Sequence, residues 1–244
     1  MKDVKNVKIL IALLLMGFVV LVSGCESPDV KTTATVEKSL TLNGITVHYS
    51  GDASLSEAKA TIGFVRDVIN PEKEMDVYLK KSDGAYTVGL TSTYKSADEI
   101  EDFLKFYLPM IASEMSQDVF GGAHVTLQIL DDERNVLESA ESKYSYVNSG
   151  DIYVWYSGTG KEDAQKVLNY AVSLVGSGSW DIILEKSDVY HVKAMSAFRS
   201  REEIGSSNEE IYKKMASDLS SRLEGKVMLH VLDPNGKEIA VFNG

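Results

Sequence analysis

The feature that most constrains this 244-residue sequence is that its second half repeats its first. Similar segments recur in the same order at offsets of 102 to 107 residues, so the copies are about 100 residues long, a common domain size. A repeated sequence predicts a repeated structural unit. The matched segments are 45–51 with 152–158, 75–83 with 180–188, 85–121 with 189–225, and 125–131 with 227–233.

Each copy has the order hairpin, helix, hairpin, helix, hairpin. Asn43-Gly44 favours a type I′ turn, and Ser96-x-x-Glu99 and Ser200-x-x-Glu203 have the form of capping boxes that begin the second helix of each copy. Alternating strands with separate amphipathic helices predict an α+β fold. We expect two tandem repeats, each an antiparallel sheet of hairpins with two helices on one face.

The second helix of each copy contains a residue that disturbs helical geometry. Pro109 removes an amide hydrogen bond and predicts a kink in the first copy. Gly205-Ser206-Ser207 interrupts the corresponding place in the second copy. We expect that helix to restart before Ile211.

The N-terminus has the pattern of an export signal. Three lysines within the first eight residues precede the apolar stretch Ile9–Val22. Fourteen residues rise about 21 Å as a helix, less than the roughly 30 Å of a bilayer core. The run Val22-Ser23-Gly24-Cys25 resembles the lipobox of bacterial lipoprotein precursors, and this resemblance covers only residues 1–25.

The resemblance implies that the thiol of Cys25 is diacylated and that the signal peptide, residues 1–24, is removed. Residues 25–39 then form the lipidated end and a polar, flexible tether, followed by repeat 1 at 40–142 and repeat 2 at 143–244. An uncleaved anchor helix with a chance cysteine is the alternative. Both readings tether the protein to the cell membrane, and the lipoprotein reading places it on the extracytoplasmic side.

The composition excludes several classes of protein. A formal net charge of −11 and a pI near 4.9 argue against a nucleic-acid partner, because phosphate recognition needs clustered lysine and arginine. A single cysteine excludes internal disulfides, cysteine-rich zinc sites and redox pairs. We expect no cofactor and no metal.

The four histidines give little indication of a site. His48, His124, His191 and His230 all fall in predicted strands, and none is shared by the two copies. A zinc site would need ligands brought together from distant parts of the chain. We interpret them as outward-facing strand residues.

Two segments resemble ligand-binding motifs, but their residue spacing does not match those motifs. Gly158-Thr-Gly-Lys161 lacks the first glycine and the Ser or Thr of a phosphate-binding P-loop. Asp131-Asp132-Glu133 is acidic but lacks the alternating oxygen ligands of a calcium loop. We read the first as a loop leading into a helix and the second as a hairpin turn.

Two aspartates recur at the same place in both copies, Asp76 and Asp181. Duplicated polar residues can mark a duplicated site, but a turn and edge requirement shared by the two repeats is the preferred explanation. A hydrolase acting on cell-wall or peptide substrates would need such carboxylates. This function is third among our expectations.

The copies differ on one predicted sheet face. Where repeat 1 has Thr46 and His48, repeat 2 has Tyr153 and Trp155, and its last hairpin adds Met228 and His230 on the same face. Surface tyrosine and tryptophan favour binding. Packing of this face against the first domain is the alternative.

We therefore expect a lipid-anchored binding or assembly module, with Tyr153, Trp155, Met228 and His230 as the candidate binding face. Its partners are the membrane, through Cys25, and an unidentified protein or small molecule. A structural lipoprotein that self-associates in an envelope or spore layer is the second reading. No catalytic residues are identified, and we do not expect an enzyme.

Overall fold

A computed structural model describes residues 37–71, 73–176 and 178–244. In the first repeat, helix α1 and a π-helical turn, Val65–Ile69, follow the first hairpin, and helix α2 follows the second. The elements are β1 Lys38–Leu42, β2 Ile45–Gly51, α1 Leu55–Phe64, β3 Met75–Ser82, β4 Ala85–Thr91, α2 Asp102–Asp118, β5 Val125–Leu130 and β6 Val136–Glu141.

The second repeat has the same order of strands and helices, and residues 142–144 connect it to the first. Its elements are β7 Ser145–Ser149, β8 Ile152–Ser157, α3 Lys161–Val175, β9 Trp180–Lys186, β10 Tyr190–Met195, α4 Arg201–Leu223, β11 Val227–Leu232 and β12 Glu238–Asn243. The predicted two-repeat α+β fold is confirmed.

Each repeat forms one six-stranded sheet whose strands lie in chain order. The hairpins are antiparallel, but β2 pairs with β3, β4 with β5, β8 with β9 and β10 with β11 in parallel. The expectation of an antiparallel sheet is wrong in this detail, and the sheets are mixed. A helix between two neighbouring strands returns the chain to its starting end, and the next strand then runs in the same direction.

The core of the second repeat lies between the sheet and its two helices. Alternate strand residues such as Val154, Leu184 and Leu229 face α3 and α4. The helices contribute Ala164, Val167, Leu168, Tyr170, Ala171, Ile204, Met215, Ala216, Leu219 and Leu223. Both helices therefore cover one face of this sheet.

The helix starts differ from the predicted capping boxes. Ser54 and Glu57 close a reciprocal box at the start of α1. Neither Ser96 nor Ser200, both within the described residues, caps a helix with its side chain. The Glu99 carboxylate instead accepts a hydrogen bond from the amide of Lys95 at 2.7 Å.

The two predicted helix disturbances behave differently. Helix α2 continues through Pro109 from Asp102 to Asp118. Helix α4 contains a break at Gly205, where φ is 65° and ψ is 162°. Glycine adopts this left-handed φ without the strain a β-carbon would add.

The described chain divides into two compact units that do not coincide fully with the repeats. One unit contains Lys143–Gly244 together with Asp102–Met110, the first half of α2. The other contains the preceding residues up to Glu101 together with Ile111–Ser142. Helix α2 thus contributes to both units.

None of the helices in the described residues is both long and apolar enough to span a bilayer. The expected signal peptide, residues 1–24, and Cys25 lie outside the described residues, as does the tether up to residue 36.

Candidate functional site

The four residues of the candidate binding face share one side of the second sheet. Tyr153 and Trp155 alternate with the core residues Ile152 and Val154 along β8, and Met228 and His230 alternate likewise along β11. Their burial differs: Trp155 and His230 are 5% and 8% exposed, while Tyr153 and Met228 are half-buried.

Tyr153 and Trp155 form an aromatic cluster with Tyr146 of β7. Their ring centroids are 5.6 Å apart with nearly parallel planes, and Tyr146 lies 5.8 Å from Tyr153 and 5.1 Å from Trp155. The strand register places Tyr146 opposite Trp155. Aromatic pairs at such distances attract each other beyond the area they bury.

Asp181 of β9 binds one member of the aromatic cluster, Trp155. Its Oδ1 accepts a hydrogen bond from the indole N–H of Trp155 at 2.9 Å, and its Oδ2 accepts one from the hydroxyl of Tyr107 at 3.1 Å. Burial, together with the neighbouring Asp181 charge, raises the pKa of Tyr107 well above its usual range. Tyr107 belongs to the segment of α2 that lies in the same compact unit.

The aligned aspartate of repeat 1 makes an equivalent contact. Asp76 accepts a hydrogen bond at 2.9 Å from the ring Nε2 of His48, which occupies the position of Trp155. In each repeat, therefore, a ring N–H from the neighbouring parallel strand binds the duplicated carboxylate. This contact gives the recurrence of Asp76 and Asp181 a structural cause.

The second half of the candidate face contains a row of polar contacts. His191 Nδ1 lies 3.0 Å from His230 Nε2, and His230 Nδ1 lies 2.5 Å from Glu238. Nearby, Lys193 donates a hydrogen bond to Glu185 at 2.6 Å. Burial opposes ionisation of Glu185, but the contacts from Lys193 and its other neighbours lower its pKa overall.

A second duplicated cluster was not predicted from the sequence. In repeat 1, Glu57 of α1 accepts hydrogen bonds from Lys81 at 2.8 Å and from Tyr86 at 2.5 Å. Burial raises the pKa of Glu57, but these hydrogen bonds outweigh it and lower the pKa to about 2. The cluster connects the first turn of α1 to the hairpin β3–β4.

The same three kinds of side chain meet in repeat 2. Tyr190 donates a hydrogen bond to Asp163 at 2.8 Å, and Lys186 donates one to Tyr190 at 2.8 Å. The recurrence of an acid, a lysine and a tyrosine at matched positions was the sequence signal for this cluster. The lysine and the tyrosine are register partners across the antiparallel hairpin of each repeat, and the packing of the first helix on the sheet brings the acid to them.

The motifs rejected on spacing have structural roles. The Asp131 carboxylate accepts hydrogen bonds from the amides of Glu133 and Asn135 at 2.9 and 2.8 Å, as expected for a turn. Gly158–Gly160 leads from β8 to α3. His124 precedes β5 and is exposed, so its prediction as a strand residue is wrong.

The described residues hold no larger group of metal-binding side chains. Across residues 37–71, 73–176 and 178–244, no three or more His, Cys, Asp and Glu side chains are arranged to hold a metal ion.

Comparison with known proteins gives a relative but no function. A family model described as a family N-terminal domain, AF_1994_N, matches residues 39–142, which is the first repeat. No solved structure matches the chain. An uncharacterized protein from Archaeoglobus fulgidus is 32% identical over 212 residues, covering 85% of this chain and 89% of that protein. The chain belongs to the same family as this Archaeoglobus fulgidus protein.

Proposed function

We propose that this protein is a lipid-anchored, extracytoplasmic binding module. Its partner, a protein or a small molecule, contacts the face of the second sheet that carries Tyr146, Tyr153 and Trp155. The thiol of Cys25 carries the lipid anchor, as the resemblance of residues 22–25 to a lipobox implies.

The observation that carries this proposal is the aromatic cluster and its attachment to Asp181. In repeat 1 the matched ring N–H donor is His48, which binds Asp76 and stacks on the ring of Tyr78. Repeat 2 gathers three rings around this contact, with those of Tyr153 and Trp155 stacked and that of Tyr146 tilted against both. Rings already fixed in place lose little freedom on binding, which favours affinity. Tyrosine and tryptophan are also the residues enriched at binding hot spots.

The first experiment tests the partner. The full chain is captured from host membranes after mild crosslinking, and bound species are identified by mass spectrometry. Tyr153→Thr places the residue of repeat 1 into repeat 2, and we expect it to lose the partner. Tyr78→Thr is the matched control, because Tyr78 is a half-buried aromatic residue on the other sheet.

Equal recovery of the partner with both variants would contradict the proposed face. Recovery of the chain alone would instead support the self-associating structural lipoprotein. Trp155 is unsuitable for this test because truncating a buried tryptophan to alanine typically costs about 3–5 kcal/mol of stability.

A separate experiment tests the anchor. We expect wild-type protein to partition into the membrane fraction with acyl chains on Cys25, and Cys25→Ser to lose those chains in mass spectra of the intact protein. If the masses of the two forms differed only by the substituted atom, with no acyl chains on the wild-type protein, lipidation would be contradicted.

A further inference from the structure

Two histidine rings face each other across neighbouring parallel strands of the second sheet. His191 lies on β10 and His230 on β11. Nδ1 of His191 is 3.0 Å from Nε2 of His230, and the ring centroids are 5.2 Å apart. Each ring thus directs one nitrogen towards the other.

Glu238 determines which nitrogen of His230 carries the proton. Its carboxylate lies 2.5 Å from Nδ1 of His230. An ionised carboxylate only accepts hydrogen bonds, so the proton is on Nδ1. In the neutral ring the lone pair is then on Nε2, directed towards His191. This carboxylate–histidine arrangement typically orients metal-binding histidines.

His191 can present a lone pair to the same point. Its Nε2 lies 3.4 Å from the hydroxyl of Ser187, which is able to accept a hydrogen bond. With the ring proton on Nε2, the lone pair of Nδ1 is directed at His230. Moving the proton of the His191 ring from Nδ1 to Nε2 exchanges two neutral tautomers, so the ring loses no proton.

We propose that Nδ1 of His191 and Nε2 of His230 bind one divalent transition-metal ion, with water completing its coordination. A tetrahedral ion with metal–nitrogen distances of about 2.0–2.1 Å holds two nitrogens about 3.3 Å apart. Neighbouring ligands in the square-planar geometry that Cu²⁺ prefers lie about 2.9 Å apart at similar bond lengths. The present separation is 3.0 Å. Small rotations of the two side chains supply the difference.

Imidazole ligands select the class of ion. Two nitrogen donors favour Cu²⁺, Ni²⁺ and Zn²⁺, whereas Mg²⁺ and Ca²⁺ prefer oxygen. Among these ions the general order of affinity predicts the tightest binding for Cu²⁺.

The surrounding charges are compatible with a cation. Lys193 is the register partner of His230, but its ammonium group is paired with Glu185 at 2.6 Å. Glu185 is in turn the register partner of His191. The chain as a whole has a net charge of −11. Repeat 1 has Thr87 and Gln128 at the matched positions, so the proposed site belongs to repeat 2 alone.

The test is a metal titration of the purified full chain in detergent micelles at pH 7.5. Cys25→Ser is the starting form, so that the thiol does not compete for metal. We expect one Cu²⁺ per chain by calorimetry, weaker binding of Zn²⁺ and no binding of Mg²⁺. The electron paramagnetic resonance spectrum of bound Cu²⁺ should show two nitrogen ligands.

Variants locate the binding. His191→Ala should weaken Cu²⁺ binding at least tenfold, and Glu238→Gln should weaken it about 10- to 100-fold by releasing His230. His124→Ala removes an exposed histidine of repeat 1 and should change nothing. Circular dichroism confirms that each variant is folded.

Two outcomes would overturn the proposal. One is the absence of stoichiometric Cu²⁺ binding by the starting form, which would leave only a hydrogen bond between the rings. The other is equal affinity in His191→Ala and the starting form. Tyr153→Thr should retain the metal, so this result is independent of the proposed partner site.

Discussion

At the scale of single residues, the ion pair and hydrogen bonds of Glu57 connect the start of α1 to the sheet. The pKa of this carboxyl is lowered from 4.5 to about 2 in the folded protein. Above about pH 4.5 its contribution to stability is complete. As the pH falls towards 2, the unfolded chain takes up the proton first, and a contribution of up to about 3 kcal/mol is lost.

Glu57→Gln should therefore reduce stability at pH 7 and make it less dependent on pH between 5 and 2. Urea denaturation at several pH values measures both effects. Glu210→Gln, which removes an exposed carboxylate of α4, is the control and should leave the pH profile unchanged. Identical pH profiles for Glu57→Gln and wild type would show that this cluster does not stabilise the fold.

Tyr94 gives a second prediction at this scale. Its hydroxyl is buried without a hydrogen-bond partner among the described residues, and burial together with the charge of Glu101 raises its pKa to about 12. Repeat 2 has Phe198 at the matched position. An unsatisfied buried hydroxyl costs about 1–3 kcal/mol.

We expect Tyr94→Phe to stabilise the protein by about 1 kcal/mol in urea denaturation. Tyr144→Phe is the control, because the hydroxyl of Tyr144 donates a hydrogen bond to Glu185 at 3.0 Å and its loss should destabilise. A destabilised Tyr94→Phe would mean that the hydroxyl is satisfied in solution.

The residues of the candidate face were predictable, but their burial was not. Strand alternation alone places Tyr153, Trp155, Met228 and His230 on one side of a sheet. Their exposure depends on contacts made by distant segments, such as that of Tyr107 with Asp181 across 74 residues. No local pattern in the sequence predicts a contact between residues so far apart in the chain.

At the scale of secondary-structure elements, the bend after β2 allows the chain to enter α1. Gly51 has a φ of 67°, and a β-carbon there would lie 2.1 Å from the carbonyl oxygen of Lys81. Gly158 occupies the same position in repeat 2, with 2.5 Å to the carbonyl oxygen of Lys186. Both strain and a backbone clash oppose any other residue.

Gly51→Ala should therefore destabilise the protein by about 3 kcal/mol or more, measured by thermal unfolding. Gly63→Ala is the matched control within α1, where a β-carbon meets open space. Its effect should be opposite in sign, a gain of about 0.5–1 kcal/mol. Equal effects of the two substitutions would contradict the close approach at Gly51.

The elements themselves were largely predictable, because hairpins and helices leave local signals. The turn at Asn43-Gly44 has φ values of 54° and 78°, as a type I′ turn requires. The parallel pairing between hairpins was missed because inward and outward residues alternate identically in parallel and antiparallel strands. The capping boxes were misplaced because Glu99 binds the amide of Lys95, one residue before the expected partner.

At the scale of the whole molecule, α2 contributes to both compact units. Both tryptophans, Trp155 and Trp180, belong to the second repeat, so intrinsic fluorescence reports that repeat. Far-UV circular dichroism reports the secondary structure of both repeats. Because one helix is shared, we expect the two signals to change at the same urea concentration. Two separate transitions would show that the units unfold independently.

The division of the chain into two compact units also predicts how the protein behaves after it is cleaved by a protease. A single cut within residues 142–144 would leave the N-terminal product carrying Asp102–Met110, a part of the unit formed by Lys143–Gly244. That product would still supply the hydroxyl of Tyr107 to Asp181. We expect the two fragments to stay together without a covalent link, so that severing the connection between the repeats leaves the second repeat attached to the first.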